Sequence, residues 1–176
     1  MVPVNEKNKI LKKNPMSLDL YINSPKPVRH RGTGVYIREN GVTRELSTVE
    51  EVRAHFPDAD TSDISIIDYE TDYIWHGNVT HNLNRMAMNV PIGEHTLYEY
   101  LWRPDEIGIQ YLTEAYVNSV YMAFNYLKTH KDKLIEYNSD NGWGTYENLY
   151  DFCKSLVMSL TELDYTKEQY EIYASR

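Results

Sequence analysis

The sequence predicts an α+β fold in which helices pack on one face of an antiparallel sheet. Residues 16–23 and 170–175 alternate apolar and polar side chains, as half-buried strands do, and residues 64–75 alternate over much of their length. The apolar residues of 113–137 and 145–160 instead recur with a helical period. Strands and helices in this arrangement predict a single α+β domain.

The length and charge of the chain set bounds on its organisation and partners. The 176 residues fit one domain with a real core, so we expect a flexible polar arm over 1–15 and one domain over 16–176. The net charge is −8, and the arm contains four lysines and one glutamate, so the remainder carries −11. That charge argues against binding to a nucleic-acid backbone, although a small basic pocket for a compact anion stays open.

Cysteine content and hydropathy bear on the compartment. Cys153 is the only cysteine, which excludes an intramolecular disulfide and favours a reducing cytoplasm. No apolar run approaches the ~20 residues of a membrane span, and the amino terminus lacks the apolar segment of a signal peptide. We therefore expect a cytoplasmic protein without a membrane partner.

The first half of the chain predicts two strands, a hairpin and a short helix. The first strand has Leu18, Leu20 and Ile22 on its buried face and ends at the prolines of 24–27. Asn40-Gly41 is a strong turn sequence for a hairpin between residues 34–39 and 42–46. Ser47–Glu50 resembles a capping box that opens a helix before the second strand. The inward residues of that helix are expected to be Val49, Val52 and Phe56, and one face of the second strand to hold Tyr69, Thr71, Tyr73 and Trp75.

The second half predicts two longer helices and a closing strand. Thr113 and Thr145 are suitable N-caps for these helices. Cys153 falls on the apolar stripe of the second helix, so we expect an inert core residue and not a nucleophile. The first stripe consists of Val117, Val120, Tyr121, Phe124 and Leu127, and the second of Leu149, Phe152, Cys153, Leu156, Val157 and Leu160.

A polar and aromatic stretch over residues 75–106 contains the main candidate site. Thr80 is a suitable N-cap for a helix that places His81 and Arg85 opposite its apolar face of Leu83, Met86, Ala87 and Val90. A helix start beside Asn78 and Asn82, with a histidine and an arginine, suits a phosphate or a carboxylate. The alternative is that the asparagines only cap turns while both basic side chains lie in solvent.

Two tryptophan motifs add candidates. Arg103 precedes Pro104 and is therefore expected on extended backbone next to Trp102, an arrangement that can grip an anion. Alternatively, Trp102 fills the core and Arg103 pairs with Asp105 or Glu106. Trp143 lies between two glycines, where it either plugs the core or forms a pocket wall.

Enzyme and metal motifs are weak by comparison. The chain has no glycine-rich phosphate loop after a strand, no G-x-S-x-G and no H-E-x-x-H. A metal site would combine His76, His81 and His95 with a glutamate (Glu94 or Glu106), but the histidine spacing is not that of a zinc site. We therefore expect no metal, no cofactor and no catalytic residue other than His81, were the protein an enzyme.

Three motifs carry a resemblance to a known family: Asn78-Val-Thr-His-Asn-Leu83, Leu101-Trp-Arg-Pro-Asp-Glu106 and Asn141-Gly-Trp-Gly144. With them, nearly all of 16–176 resembles a family of small hypothetical proteins of bacteriophage, prophage and plasmid-borne genomes. Its pattern has glutamate where this chain has Asp105. The resemblance implies no settled activity, but small phage proteins often bind a host protein or sequester a host signalling molecule.

Three functional hypotheses follow. The first is a small-ligand-binding protein for an anionic or nucleotide-like molecule, including counter-defence by sequestering a host signal. The second is a nucleotide-processing hydrolase that uses His81, and the third is an acidic inhibitor that binds a host defence protein. The oligomeric state is not predicted. The ligand-binding residues are expected to be Asn78, Thr80, His81, Asn82, Arg85, Trp102, Arg103 and Trp143.

Overall fold

The computed structural model describes residues 17–39 and 42–176, and over them the chain adopts the predicted α+β fold. The strands are β1 (Ser17–Gly32), β2 (Tyr36–Glu39), β3 (Val42–Glu45), β4 (Ile67–Thr80), β5 (Pro91–Ile92), β6 (His95–Thr96) and β7 (Glu171–Ser175). The α-helices are α1 (Val49–His55), α2 (Asn84–Met88), α3 (Leu97–Trp102), α4 (Glu114–Thr129), α5 (Lys131–Leu134) and α6 (Tyr146–Glu162). Single 3₁₀ turns precede α2 and follow α3 and α5.

A three-stranded antiparallel sheet joins the two ends of the domain. Strand β1 lies in the centre, with β4 on one side and β7 on the other. The predicted association of the first, middle and last strands is thereby confirmed. The expected arm over 1–15 and Met16, the first residue of the predicted strand, lie outside the described residues.

The main core forms between one sheet face and the helices. Leu18, Leu20 and Ile22 have no exposed surface and belong to the same buried cluster as the inner faces of α4 and α6. The stripe predicted for α6 is buried throughout, including Cys153, and burial raises the pKa of its thiol. The apolar stripe predicted for α4 is also buried, except at Tyr121, which is 41% exposed. Among the described residues, no helix combines the length and apolarity needed to cross a membrane.

Two irregularities change the predicted strands. Residues 24–27 do not end β1: Asn23 pairs with Tyr73 and Val28 with Thr71, so the proline segment is accommodated as a bulge. In β4, Ile22 pairs with Trp75 and Asn23 with Tyr73, which leaves Ile74 as an extra residue. The expectation that Tyr73 and Trp75 share a face is therefore wrong, because a one-residue bulge reverses the alternation.

Strands β2 and β3 pair as the predicted hairpin, whose turn residues 40–41 lie outside the described part. Two details of the following helix differ from prediction. The capping box is formed by Thr48 and Glu51, one residue later than predicted, because the Thr48 hydroxyl accepts from the Glu51 N–H. Phe56 is 39% exposed and not inward, since it lies at the helix end.

Candidate functional site

A surface groove of about 470 Å³ lies beside the start of α2. Its first wall is the turn that follows β4, where the Thr80 hydroxyl accepts a hydrogen bond from the Asn82 N–H at 3.3 Å. This confirms Thr80 as an N-cap, and the residue is itself buried. The opposite side comes from the segment after α5. The lining residues are His81, Asn82, Asn84, Arg85, Glu136, Tyr137, Asn138, Ser139 and Asp140.

A hydrogen bond from Trp102 determines which ring nitrogen of neutral His81 carries the proton. The indole Nε1–H of Trp102 lies 3.2 Å from His81 Nδ1. An indole nitrogen can only donate, so Nδ1 must accept and the proton of the neutral imidazole is on Nε2. In this state His81 has an N–H to donate and no free lone pair.

Arg85 and Tyr137 contact each other in the lining of the groove. The guanidinium carbon lies 5.7 Å from the centroid of the Tyr137 ring, a cation–π arrangement. The Tyr137 hydroxyl donates to Asn89 Oδ1 at 3.1 Å, and Asn89 Nδ2 donates to the Arg85 carbonyl at 2.7 Å. Asn89 therefore links the ring to the backbone of the helix that carries the arginine. Arg85 is exposed, and within the described residues no carboxylate forms an ion pair with it.

The Asn-Gly-Trp-Gly loop is fastened against the same turn. Asn82 Nδ2 donates to the Trp143 carbonyl at 2.7 Å, and Asn138 Oδ1 accepts from the Tyr146 N–H at 2.7 Å. Gly144 has φ +101°, and a Cβ there would lie 2.8 Å from Asn82 Cβ. Glycine is therefore required at position 144, where the loop passes close to Asn82 in the turn after β4.

The groove has mixed charge. Besides the Arg85 guanidinium, the lining contains two carboxylates, Glu136 and Asp140. Asn84 contributes a buried side-chain oxygen that has no hydrogen-bond partner among the described residues. A buried polar atom without a partner is uncommon, so the bonding of this wall is incomplete. The lining suits a small molecule that carries both an anionic group and hydrogen-bond donors.

The groove brings together only part of the predicted site. His81, Asn82 and Arg85 line it, whereas Asn78, Thr80, Trp102, Arg103 and Trp143 do not. Trp102 is fully buried and acts through its bond to His81. Trp143 is 44% exposed, so the interpretation of this indole as a core plug is wrong.

Arg103 belongs to a different cluster. Its Nε donates to the Tyr98 hydroxyl at 2.9 Å and its guanidinium pairs with Glu106, and both bonds raise its pKa. Arg176 pairs with the same Glu106 and with Asp105. The alternative that placed Arg103 in an ion pair is the one observed, and its guanidinium is not directed to a shared site with Arg85.

Sequence reasoning missed Tyr137 and the carboxylates beside it. No local pattern in the sequence indicates that the loop around Trp143 meets the turn after β4. The contact is non-local, made by Asn82 with Trp143 and by Asn89 with Tyr137. Hydrogen bonds of this kind depend on tertiary packing and have no periodic pattern in the sequence.

The histidines considered for a metal site have separate partners. His76 bonds to Asp19, His81 to Trp102 and His95 to Glu99. Across residues 17–39 and 42–176, no group of three or more His, Cys, Asp or Glu side chains is placed to hold a metal ion.

Comparisons of the chain with protein-family models, with curated proteins and with solved structures found no match. The resemblance to phage-encoded proteins consequently stays a prediction based on the three motifs.

Proposed function

We propose that the protein binds a small anionic, nucleotide-like molecule in the groove between α2 and residues 136–140, in the cytoplasm. The observation that supports this most directly is Arg85, an exposed guanidinium over the Tyr137 ring with no ion-paired carboxylate in the described part of the chain. A guanidinium presents a rigid fork of donors that matches phosphate and carboxylate oxygens. The arginine and tyrosine pair thus offers both a charge and a planar surface.

The size and lining of the groove narrow the ligand class. About 470 Å³ falls within the roughly 300–1,000 Å³ of small-molecule sites. Asn138 Oδ1 already accepts from the Tyr146 N–H and Asn84 Oδ1 is buried, so these residues offer their side-chain NH₂ groups to the edge of a base. Glu136 and Asp140 oppose additional negative charge and accept hydrogen bonds from amino groups. These carboxylates favour a ligand with few phosphates and several donors over a triphosphate.

The state of His81 favours binding over hydrolysis. A general base needs a free lone pair within reach of the proton that it removes. The Trp102 indole occupies Nδ1, and Nε2 carries the proton of the neutral ring. His81 is therefore suited to donate a hydrogen bond to a ligand oxygen, which supports sequestration of an intact molecule. Together with the resemblance to phage proteins, this makes a host signalling nucleotide the proposed target.

A retention experiment tests the proposal. The purified protein is incubated with bacterial lysate, washed and heated, and the released molecules are identified by mass spectrometry. We expect an unmodified nucleotide-class molecule from the wild type and from Arg103→Ala, and none from Arg85→Ala. Recovery of a hydrolysed product would favour an enzyme, and a co-purifying host protein without a small molecule would favour the inhibitor hypothesis. Equal retention by Arg85→Ala would contradict the assigned groove.

A further inference from the structure

The sheet has a polar and aromatic face on the side away from the helices. The β2–β3 hairpin contacts it through the bond from Thr43 to Asn78, and we call it the open face. Cross-strand pairing places Asp19 between Asn78 and Ser175, and Tyr21 between His76 and Tyr173. Side chains alternate along a strand, and the neighbouring residues Leu18, Leu20 and Ile22 are buried against the helices. The two rows therefore lie together on the other face, and none of their residues lines the groove.

Within the described part of the chain, the Asp19 carboxylate is held through one of its oxygens. Oδ1 accepts from Asn78 Nδ2 at 2.6 Å and bonds to His76 Nε2 at 3.1 Å. Asn78 is 5% exposed, and its own oxygen accepts from the Thr43 hydroxyl at 3.2 Å. Among the described residues no donor bonds to Asp19 Oδ2. The side chain is 31% exposed, so an oriented anionic oxygen remains accessible.

Aromatic rings surround this carboxylate. Tyr21 stacks on His76 with centroids 4.4 Å apart and an interplanar angle of 14°, and its ring lies 5.4 Å from Tyr73 and 6.0 Å from Tyr173. The pKa of the Tyr21 hydroxyl is raised, first by burial and then by the charge of Asp19. The faces of aromatic rings are electronegative and attract cations. A partly buried carboxylate beside several tyrosines therefore favours a positive group.

The basic side chains near Asp19 do not remove this preference for a positive group. The pKa of the Asp19 carboxyl is lowered, first by the hydrogen bond from His76, with the charge of Arg38 a smaller cause. Arg38 is exposed on β2 and makes no hydrogen bond to Asp19 within the described residues. Since Nε2 of the neutral His76 ring donates to an ionised carboxylate, Nδ1 is left as an acceptor. The atoms that Asp19 and His76 leave open, Oδ2 and Nδ1, are thus acceptors.

We propose that the open face binds a guanidinium group, with Asp19 Oδ2 accepting its N–H groups and the exposed ring of Tyr173 stacking on its plane. A guanidinium combines planarity, a delocalised charge and weak hydration, which suits a carboxylate flanked by aromatic rings. The net charge of −8 favours the approach of cations over anions. The group can belong to a free small molecule or to an arginine of a partner peptide.

Titration calorimetry with N-acetyl-arginine amide tests this site, and N-acetyl-citrulline amide is the uncharged control of nearly equal shape. We expect binding of the arginine compound only, weakened about tenfold or more by Asp19→Asn, because a charged hydrogen bond is lost. Tyr173 is 53% exposed on an edge strand, so its variants should remain folded. Tyr173→Ala should weaken binding about 2–5-fold, and Tyr173→Phe should preserve it.

Further measurements distinguish a free guanidinium compound from a peptide arginine as the ligand, and they can contradict the proposal. Equal affinity for the amide and for an Ala-Arg-Ala peptide would identify the guanidinium itself as the ligand, and tighter peptide binding would indicate a protein partner. Asp68→Asn, which removes an exposed carboxylate at the far end of β4, should leave the affinity unchanged. Equal binding of citrulline, an equal effect of Asp68→Asn, or unaltered binding by Tyr173→Ala would each contradict the site. The tyrosine variants decide the matter if Asp19→Asn does not fold.

Discussion

At the scale of single residues, close contacts with glycine determine where side chains of the sheet and the loop can lie. Gly77 faces α6 from the C-terminal part of β4, and a Cβ there would lie 2.5 Å from ring atoms of both Trp75 and Phe152. Those rings meet edge to face at 5.4 Å, and the Trp75 indole donates to the Ser155 hydroxyl at 3.0 Å. The absence of a side chain at position 77 therefore allows the indole to reach the helix.

We expect Gly77→Ala to lower the free energy of unfolding by about 1–3 kcal/mol, since the added methyl overpacks two rings that have partners of their own. Gly93→Asn is the matched control: Gly93 has φ +58° with no atom within 4 Å of an added Cβ, and asparagine tolerates that conformation. Urea unfolding of both variants measures the difference. A Gly77→Ala protein as stable as the control would show that the strand and helix can separate at no cost.

At the scale of elements, α6 attaches the helices to the sheet. Its inner stripe is buried along the whole helix, and Thr145 begins it with a capping interaction from Asn148. The same helix exposes Met158, of which 58% is accessible. The two faces of one helix thus permit a direct comparison of buried and exposed apolar side chains.

Leu156→Ala should lower the free energy of unfolding by about 2–5 kcal/mol, because it opens a cavity in a fully buried position. Met158→Ala removes a side chain of similar size from the exposed face and should change stability by less than about 0.5 kcal/mol. Thermal and chemical unfolding provide the measurement. Comparable losses in the two variants would mean that the exposed face is covered by something else in solution.

The hydrogen bonds between Asp19 on β1 and the side chains of His76 and Asn78 on β4 predict that stability depends on pH. The pKa of Asp19 is lowered in the folded protein, so its contribution to stability is present above its unfolded value of about 4 and is lost as the pH falls through the folded value. We expect the unfolding free energy of the wild type to fall more steeply below about pH 4 than that of Asp19→Asn. Parallel pH profiles for the two proteins would contradict this assignment.

At the scale of the whole molecule, local patterns predicted the fold better than the site. Periodicity identified the α6 stripe, the α2 core residues and the three strands of the sheet, because each depends on residues a few positions apart. The bulges at residues 24–27 and at Ile74 were missed, since both are set by pairing with another strand. Of the residues predicted to bind a ligand, those that line the groove are His81, Asn82 and Arg85, which lie close together in the sequence.

The predicted site residues that do not line the groove include several whose positions depend on tertiary packing. Trp102 and Arg103 adjoin in sequence, yet the indole reaches His81 while the guanidinium pairs with Glu106. Asn78 precedes Thr80 by two positions and bonds to Asp19 on the open face. Tyr137 joined the groove through a contact with Asn89 across the fold. The structure thus places Arg85, and not Arg103, in the groove lining. Comparing variants of these two arginines is the sharpest test of the proposed site.

The central claim is that the groove around Arg85 binds a small anionic, nucleotide-like ligand. Calorimetric titration of a panel of nucleoside monophosphates and cyclic nucleotides into the wild type, Arg85→Ala and Arg103→Ala measures it directly. We predict saturable binding of at least one member to the wild type and Arg103→Ala, and a loss of about tenfold or more in Arg85→Ala as a charged hydrogen bond is removed. Binding unaffected by Arg85→Ala but abolished by Arg103→Ala, or no binding by a folded wild type, would contradict the assignment.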